Sequence, residues 1–186
     1  MLQDKNHLLH TFARLLSYPE DDYQMRAAEL VRAFENDQNQ RKQLLPFYDF
    51  IRTASPGKIE EIFTRTFDMN KTTCLEIGWH LYGEDYKRGE FLVRMRQSLA
   101  EYKIPESIEL PDHISHCLLL LAALDEEDAP VYAERFLKPT LKIILKNFDK
   151  ANPFRPLVEA LQNYLSENDF FTPDTVLPMG DEYLNC

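Results

Sequence analysis

The sequence predicts an all-α protein, a single compact bundle of roughly eight to ten helices, and three observations carry that expectation. Apolar residues recur along most of the chain at helical spacing, three or four positions apart. Glycine occurs only five times in 186 residues, while the good helix formers Leu, Glu, Ala, Lys and Arg are plentiful. No stretch alternates apolar and polar residues with the period of two that a half-buried strand requires.

The elements follow in order. Leu8, Leu9, Phe12, Leu15 and Leu16 form one stripe, closed by Pro19, which cannot continue a helix interior. Tyr23, Ala27, Leu30, Val31 and Phe34 form a second. The polar NDQNQ run is a loop or loose helix start, and Leu44, Leu45, Tyr48 and Ile51 mark a third helix with Pro46 in its first turns. Ser55-Pro56 reads as an N-cap with proline at N1, opening a helix with Ile59, Ile62 and Phe63. FDMNKTT breaks the pattern at 67–73, and the short helical stretch CLEIGWHLYG ends at Gly83, a C′ glycine. Residues 85–103 form a long helix with Tyr86, Leu92, Val93, Met95, Leu99 and Tyr102 as its apolar positions. KIPESIEL is a linker. Pro111 then suits N1 of a helix running to about Leu124, followed by the acidic turn DEEDAP. A helix over 131–149 is kinked or split by Pro139, and Asn152-Pro153 opens the last helix, with Leu157, Val158, Leu161 and Leu165. Residues 1–167 thus form one helical domain, and 168–186, with Pro173 and Pro178, an extended tail.

Composition excludes several function classes. The net charge of −10 repels phosphate backbones, so nucleic acid is excluded as a partner, whereas a basic ligand is suited. Cys74, Cys117 and Cys186 are far apart, with no CxxC, which points to a reducing compartment rather than a disulfide framework. The opening MLQDKNHLLHTFARLL mixes charged with apolar residues, unlike a signal peptide or membrane span. No apolar run reaches spanning length, so the expected location is the cytoplasm, without stable membrane insertion.

Chemistry concentrates in two places. IELPDHISHC, at 108–117, sets Asp112 beside His113 just before the apolar run CLLLLAAL. In a helix begun by Pro111, Asp112 falls at N2, where the helix dipole favours a carboxylate, and His113 at N3, where a neutral imidazole is expected. Asp112, His113 and His116 are also possible metal ligands, the basis of an alternative reading as a helical metal-dependent hydrolase. That ligand set is incomplete: no HExxH and no CxxC accompany it, and neither GxSxG nor a phosphate-binding glycine loop is present. In the second place, GWHLYGED at 78–85, Trp79 and Tyr82 share a helical face. They are either core aromatics or anchors at a binding surface.

Together, TFDMN, GWHLYGEDYKRGEFLVRM and ELPDHISHCLLLLAAL resemble the NarJ-like branch of the TorD/DmsD/NarJ family of redox enzyme maturation chaperones. The resemblance spans about 66–124, and it implies an all-helical, cytoplasmic, non-catalytic protein with no cofactor and no metal site. The implied partner is the catalytic subunit of a molybdoenzyme, nitrate reductase or another member of the dimethyl-sulfoxide-reductase superfamily. Such a chaperone grips the subunit by its N-terminal leader, a twin-arginine signal or its vestige. It holds the subunit for molybdenum cofactor insertion, before export or membrane attachment. The implied leader-binding residues are Trp79, Tyr82, Gly83, Pro111, Asp112 and His113, and Arg88-Gly89 also matches the family pattern.

A basic leader meeting a chain of net charge −10 is steered by long-range attraction. Stopped-flow mixing is expected to show association slowing as salt rises, with dissociation changing less. A salt-independent association rate would leave the acidic surface a role in solubility alone.

Overall fold

The computed structural model describes residues 2–171. The helices are α1 (Leu2–Leu15), α2 (Tyr23–Ala33), α3 (Gln38–Thr53), α4 (Pro56–Thr66), α5 (Ile77–Tyr82), α6 (Tyr86–Glu101), α7 (Ile114–Ala123), α8 (Asp128–Tyr132), α9 (Lys138–Asn147) and α10 (Arg155–Glu167), with a π-helical turn (Ala133–Leu137) joining α8 to α9. Among the described residues the only β pairing is an isolated antiparallel bridge between Glu76 and His113. None of their helices is long and apolar enough to cross a membrane.

Local chemistry explains most of the boundaries. Asp37 caps α3 by accepting the N–H groups of Asn39 and Gln40, both at 3.0 Å, which satisfies two of the donors a helix start leaves unpaired. Asp85 does the same for α6 through the Lys87 N–H at 2.9 Å. Proline occupies the first turn of α4, where its missing N–H is no loss. Gly83 ends α5 at φ +60°, a left-handed conformation that a side chain would strain.

The elements pack around α7, which is apolar on nearly every side. Ile114, Cys117, Leu118, Leu120 and Leu121 are all buried, as expected of a helix hydrophobic all round. α1 lies against α7 and α2, α3 joins α2 to α10, and α5 packs on α6 and α9. A second centre of packing is aromatic. The ring of Phe154, just before α10, contacts Phe47, Phe50, Phe63 and Phe67 at centroid separations of 5.8, 6.0, 5.6 and 5.5 Å. These edge-on and tilted contacts tie α3 and α4 to α10.

Several expectations are corrected. Pro46 lies in the middle of α3 rather than in its first turns, because the Asp37 cap starts the helix earlier. The buried face of α3 is Gln40, Leu44, Phe47 and Ile51, leaving Leu45 39% exposed. α6 buries Phe91, Met95 and Leu99, spaced four residues apart, so Tyr86 and Val93 face solvent. Pro111 does not occupy N1. It precedes His113, the N-cap of α7. The acidic turn is shorter than DEEDAP, since α8 begins at Asp128. The helix expected over 131–149 is divided just before Pro139, where the π turn Ala133–Leu137 separates α8 from α9. The Lys138 N–H reaches back five residues to the Ala133 carbonyl, and this π turn absorbs the donor that Pro139 lacks. Phe170 still packs against Tyr164 beyond α10, while 172–186 of the expected tail lie outside the described residues.

Phe154→Ala empties the hub of the aromatic cluster, and it is expected to lower stability by about 3–5 kcal/mol. Urea denaturation followed by circular dichroism measures this. A loss below about 1 kcal/mol would mean that the surrounding rings collapse into the space.

Candidate functional site

The site begins with two short extended segments. The Ile77 N–H donates to the Asp112 carbonyl at 2.9 Å, and the Ile114 N–H to the Leu75 carbonyl at 2.8 Å. These two bonds flank the Glu76–His113 bridge and set the start of α5 beside the start of α7. Glu76, the N-cap residue of α5, makes no side-chain cap bond. Asp112 supplies the cap from the neighbouring segment, with its Oδ2 accepting the Gly78 N–H at 3.0 Å. Asp112 therefore caps α5, not its own helix. Gly78 is required by this approach: a Cβ there would lie 2.6 Å from Asp112 Oδ2 and 2.9 Å from the Phe91 ring.

Asp112, which the resemblance places among the leader-binding residues, is fully buried. Burial raises its carboxyl above the usual range, and the Arg88 guanidinium and the Gly78 N–H oppose that rise. Arg88 Nε lies 3.9 Å from Asp112 Oδ2. Neither Arg88 Nε nor Asp112 Oδ1 has a hydrogen-bond partner among the described residues, so charge rather than a direct bond holds this pair. Arg88 also passes over Trp79, its guanidinium carbon 5.5 Å from the ring centroid. One arginine thus links the buried carboxylate at the start of α7 to an aromatic ring on α5.

Trp79 is half-buried. Its Nε1–H donates to the Lys71 carbonyl at 2.9 Å, and the Lys71 ammonium sits 4.9 Å from the ring centroid. Tyr82, also half-buried, packs on Phe91 at 5.5 Å, one turn along from Trp79. His80 turns back to the loop, donating from Nε2 to the Cys74 carbonyl at 2.7 Å. Burial pushes the Cys74 thiol up to about 12, so Cys74 is no nucleophile despite its histidine neighbour.

The two histidines near Asp112 are structural in their contacts. His113 Nδ1 accepts from the Ser115 N–H at 3.3 Å and the Ser115 hydroxyl at 2.7 Å, which places its proton on Nε2. Burial holds His113 at about 3, neutral as expected. His116 accepts the Ser107 N–H at Nε2 (3.1 Å) and donates from Nδ1 to the Leu110 carbonyl at 2.9 Å, pinning the linker to α7. His113 precedes the helix, so the two do not share the helical face that their spacing suggests. Among the described residues no group of three His, Cys, Asp or Glu side chains is arranged to hold a metal. Asp112, His113 and His116 are turned to other partners.

Of the sequence-predicted residues, the structure joins Trp79, Asp112 and His113 through Arg88 and the bridge. Pro111 is buried, and Tyr82 and Gly83 stand at the far end of α5. Sequence reasoning missed the contributions of Lys71 and Gly78. A carboxylate rim also emerges, since Glu76 repels both Asp68 and Glu109, whose carboxyls partial burial already raises.

The sequence profile of the family described as nitrate reductase delta subunit matches residues 33–145. A protein of Bacillus subtilis (strain 168), described as a probable nitrate reductase molybdenum cofactor assembly chaperone, NarJ, is 28% identical over 138 residues, covering 72% of this chain and 74% of its own.

Below the usual histidine value of 6.5, unfolded His113 takes up a proton that folded His113 refuses down to about 3. Stability therefore falls as pH drops through that window, by up to about 1.4 kcal/mol per pH unit. The raised carboxyl of Asp112 acts in the opposite sense, favouring folding as it is protonated. His113→Asn keeps an N-cap acceptor but cannot titrate. Urea midpoints between pH 6.5 and 5 should fall less steeply in this variant than in the wild type, while His10 and His80, lowered in both proteins, contribute equally. Equal slopes would place the linked proton elsewhere.

Proposed function

The chain belongs to the nitrate reductase delta subunit family, and from that premise we propose that it is a chaperone, not an enzyme, serving molybdenum cofactor assembly in nitrate reductase. In this reading it works in the cytoplasm and grips the catalytic subunit by its N-terminal leader. It holds that subunit for cofactor insertion and delays export or membrane attachment. The observation that carries the reading is the family match over 33–145, which contains every residue of the α5–α7 junction.

The geometry supports a division of labour within that junction. Trp79, Tyr82 and Gly83 on α5 meet the leader, with the half-buried indole as its apolar anchor. Pro111, Asp112 and His113 are buried and set the position of α5 from behind. Asp112 acts on the client through the Gly78 N–H and Arg88 rather than directly. Asp68, Glu76 and Glu109 give the surface a negative rim suited to the basic start of a leader.

Calorimetric titration of Trp79→Ala with a peptide of the nitrate reductase catalytic subunit's N-terminus tests this reading. Loss of a hot-spot anchor should weaken binding by about 2–4 kcal/mol, with the helical signal retained. Full affinity in the variant would remove Trp79 from the binding face.

A further inference from the structure

Trp79 presents an aromatic face on which two cations already rest, and the two are held very differently. Arg88 is only partly exposed and is anchored by the buried Asp112 carboxylate at 3.9 Å. Lys71 is exposed, and among the described residues its ammonium enters no ion pair. Its backbone, however, is fixed. The Lys71 carbonyl accepts the indole N–H, and Asn70 closes the turn around it by accepting the Thr72 N–H at 3.1 Å. A rooted residue with a loose side chain thus covers the ring at 4.9 Å. The nearby Asp68, Glu76 and Glu109 also enter no ion pair among the described residues, so this surface holds more negative charge than Lys71 alone offsets.

We propose that Lys71 is a placeholder, covering the Trp79 ring in the free protein and giving up that place to a basic side chain of the bound leader. This deepens the leader-binding reading and rests on it. A ring face attracts an ammonium or guanidinium through its quadrupole, and the carboxylate rim adds attraction for the same charge. The self-contact keeps the indole covered until a client arrives.

The test uses the full chain and a synthetic peptide of the nitrate reductase catalytic subunit's N-terminus, with a second peptide whose basic residues are replaced by glutamine. Lys71→Met keeps the methylenes and the backbone carbonyl but removes the cation. It should tighten binding of the basic peptide about two- to fivefold and leave the glutamine peptide unchanged. Lys87→Met removes the same charge from the exposed first turn of α6 and should give a smaller gain. Equal or weaker binding of the basic peptide by Lys71→Met, where the wild type binds it, would overturn the placeholder alone, and so would an equal gain from Lys87→Met. Binding of the peptide by neither wild type nor Lys71→Met would overturn the leader reading and this inference with it.

Discussion

The carboxylate of Asp112, sealed from solvent at the start of α7, is the point from which the functional face is built. Removing an ion from water is unfavourable unless its lone pairs and charge are met inside the protein. Here Oδ2 accepts the Gly78 N–H of α5 and the charge faces the Arg88 guanidinium of α6 at 3.9 Å, while Oδ1 has no hydrogen-bond partner among the described residues. A six-residue helix such as α5 is too short to be stable alone. It persists because its first turn is capped from α7 and its flank packs on Phe91. The orientation of Trp79 follows from that docking, and so does the position of Arg88 beside it.

The α7 core holds α1, and the Phe154 ring cluster ties α3 and α4 to α10, while α5 itself packs on α6, on α9 and on the π turn. The polar groups of the junction are largely committed. His113 caps α7, His116 pins the linker, and His80 closes the loop before α5. What remains turned outward is an indole, a tyrosine and a set of carboxylates. On the proposed function, that is the surface offered to the client's leader.

The helical class was legible because stripes such as Tyr23–Ala27–Leu30–Val31 obey the periodicity that burial demands. The resemblance through GWHLYGED and ELPDHISHC points to two segments that the Glu76–His113 bridge brings together, yet the job of Asp112 was not readable from local spacing. A carboxylate one residue before an N-cap looks like a dipole partner of its own helix. Its true target, Gly78, is 34 positions away, and only the Glu76–His113 bridge brings it near. Lys71 escaped notice for a similar reason, since an exposed lysine in a loop carries no periodic signal. Pro56 opens α4 as its spacing predicts, whereas Pro46 and Pro111 fall elsewhere than expected because caps and helix registers, set by Asp37 and His113, decide where a helix starts.

Pro139 has a consequence of its own for the azimuth of α9. An ordinary α-helical run through 128–147 would carry its inward face forward at about 100° per residue. The π turn holds one residue more than an α turn, so everything after it is rotated back by about one such step. With that rotation Thr140, Leu141 and Ile144 are buried, in phase with Tyr132 before the turn and Phe136 within it. The proline is thus a phase-setting spacer. Shortening Ala133–Leu137 by one residue would return the segment to regular winding and swing the inner face of α9 away from α5 and α10, altering the backing of the Trp79 helix from a distance.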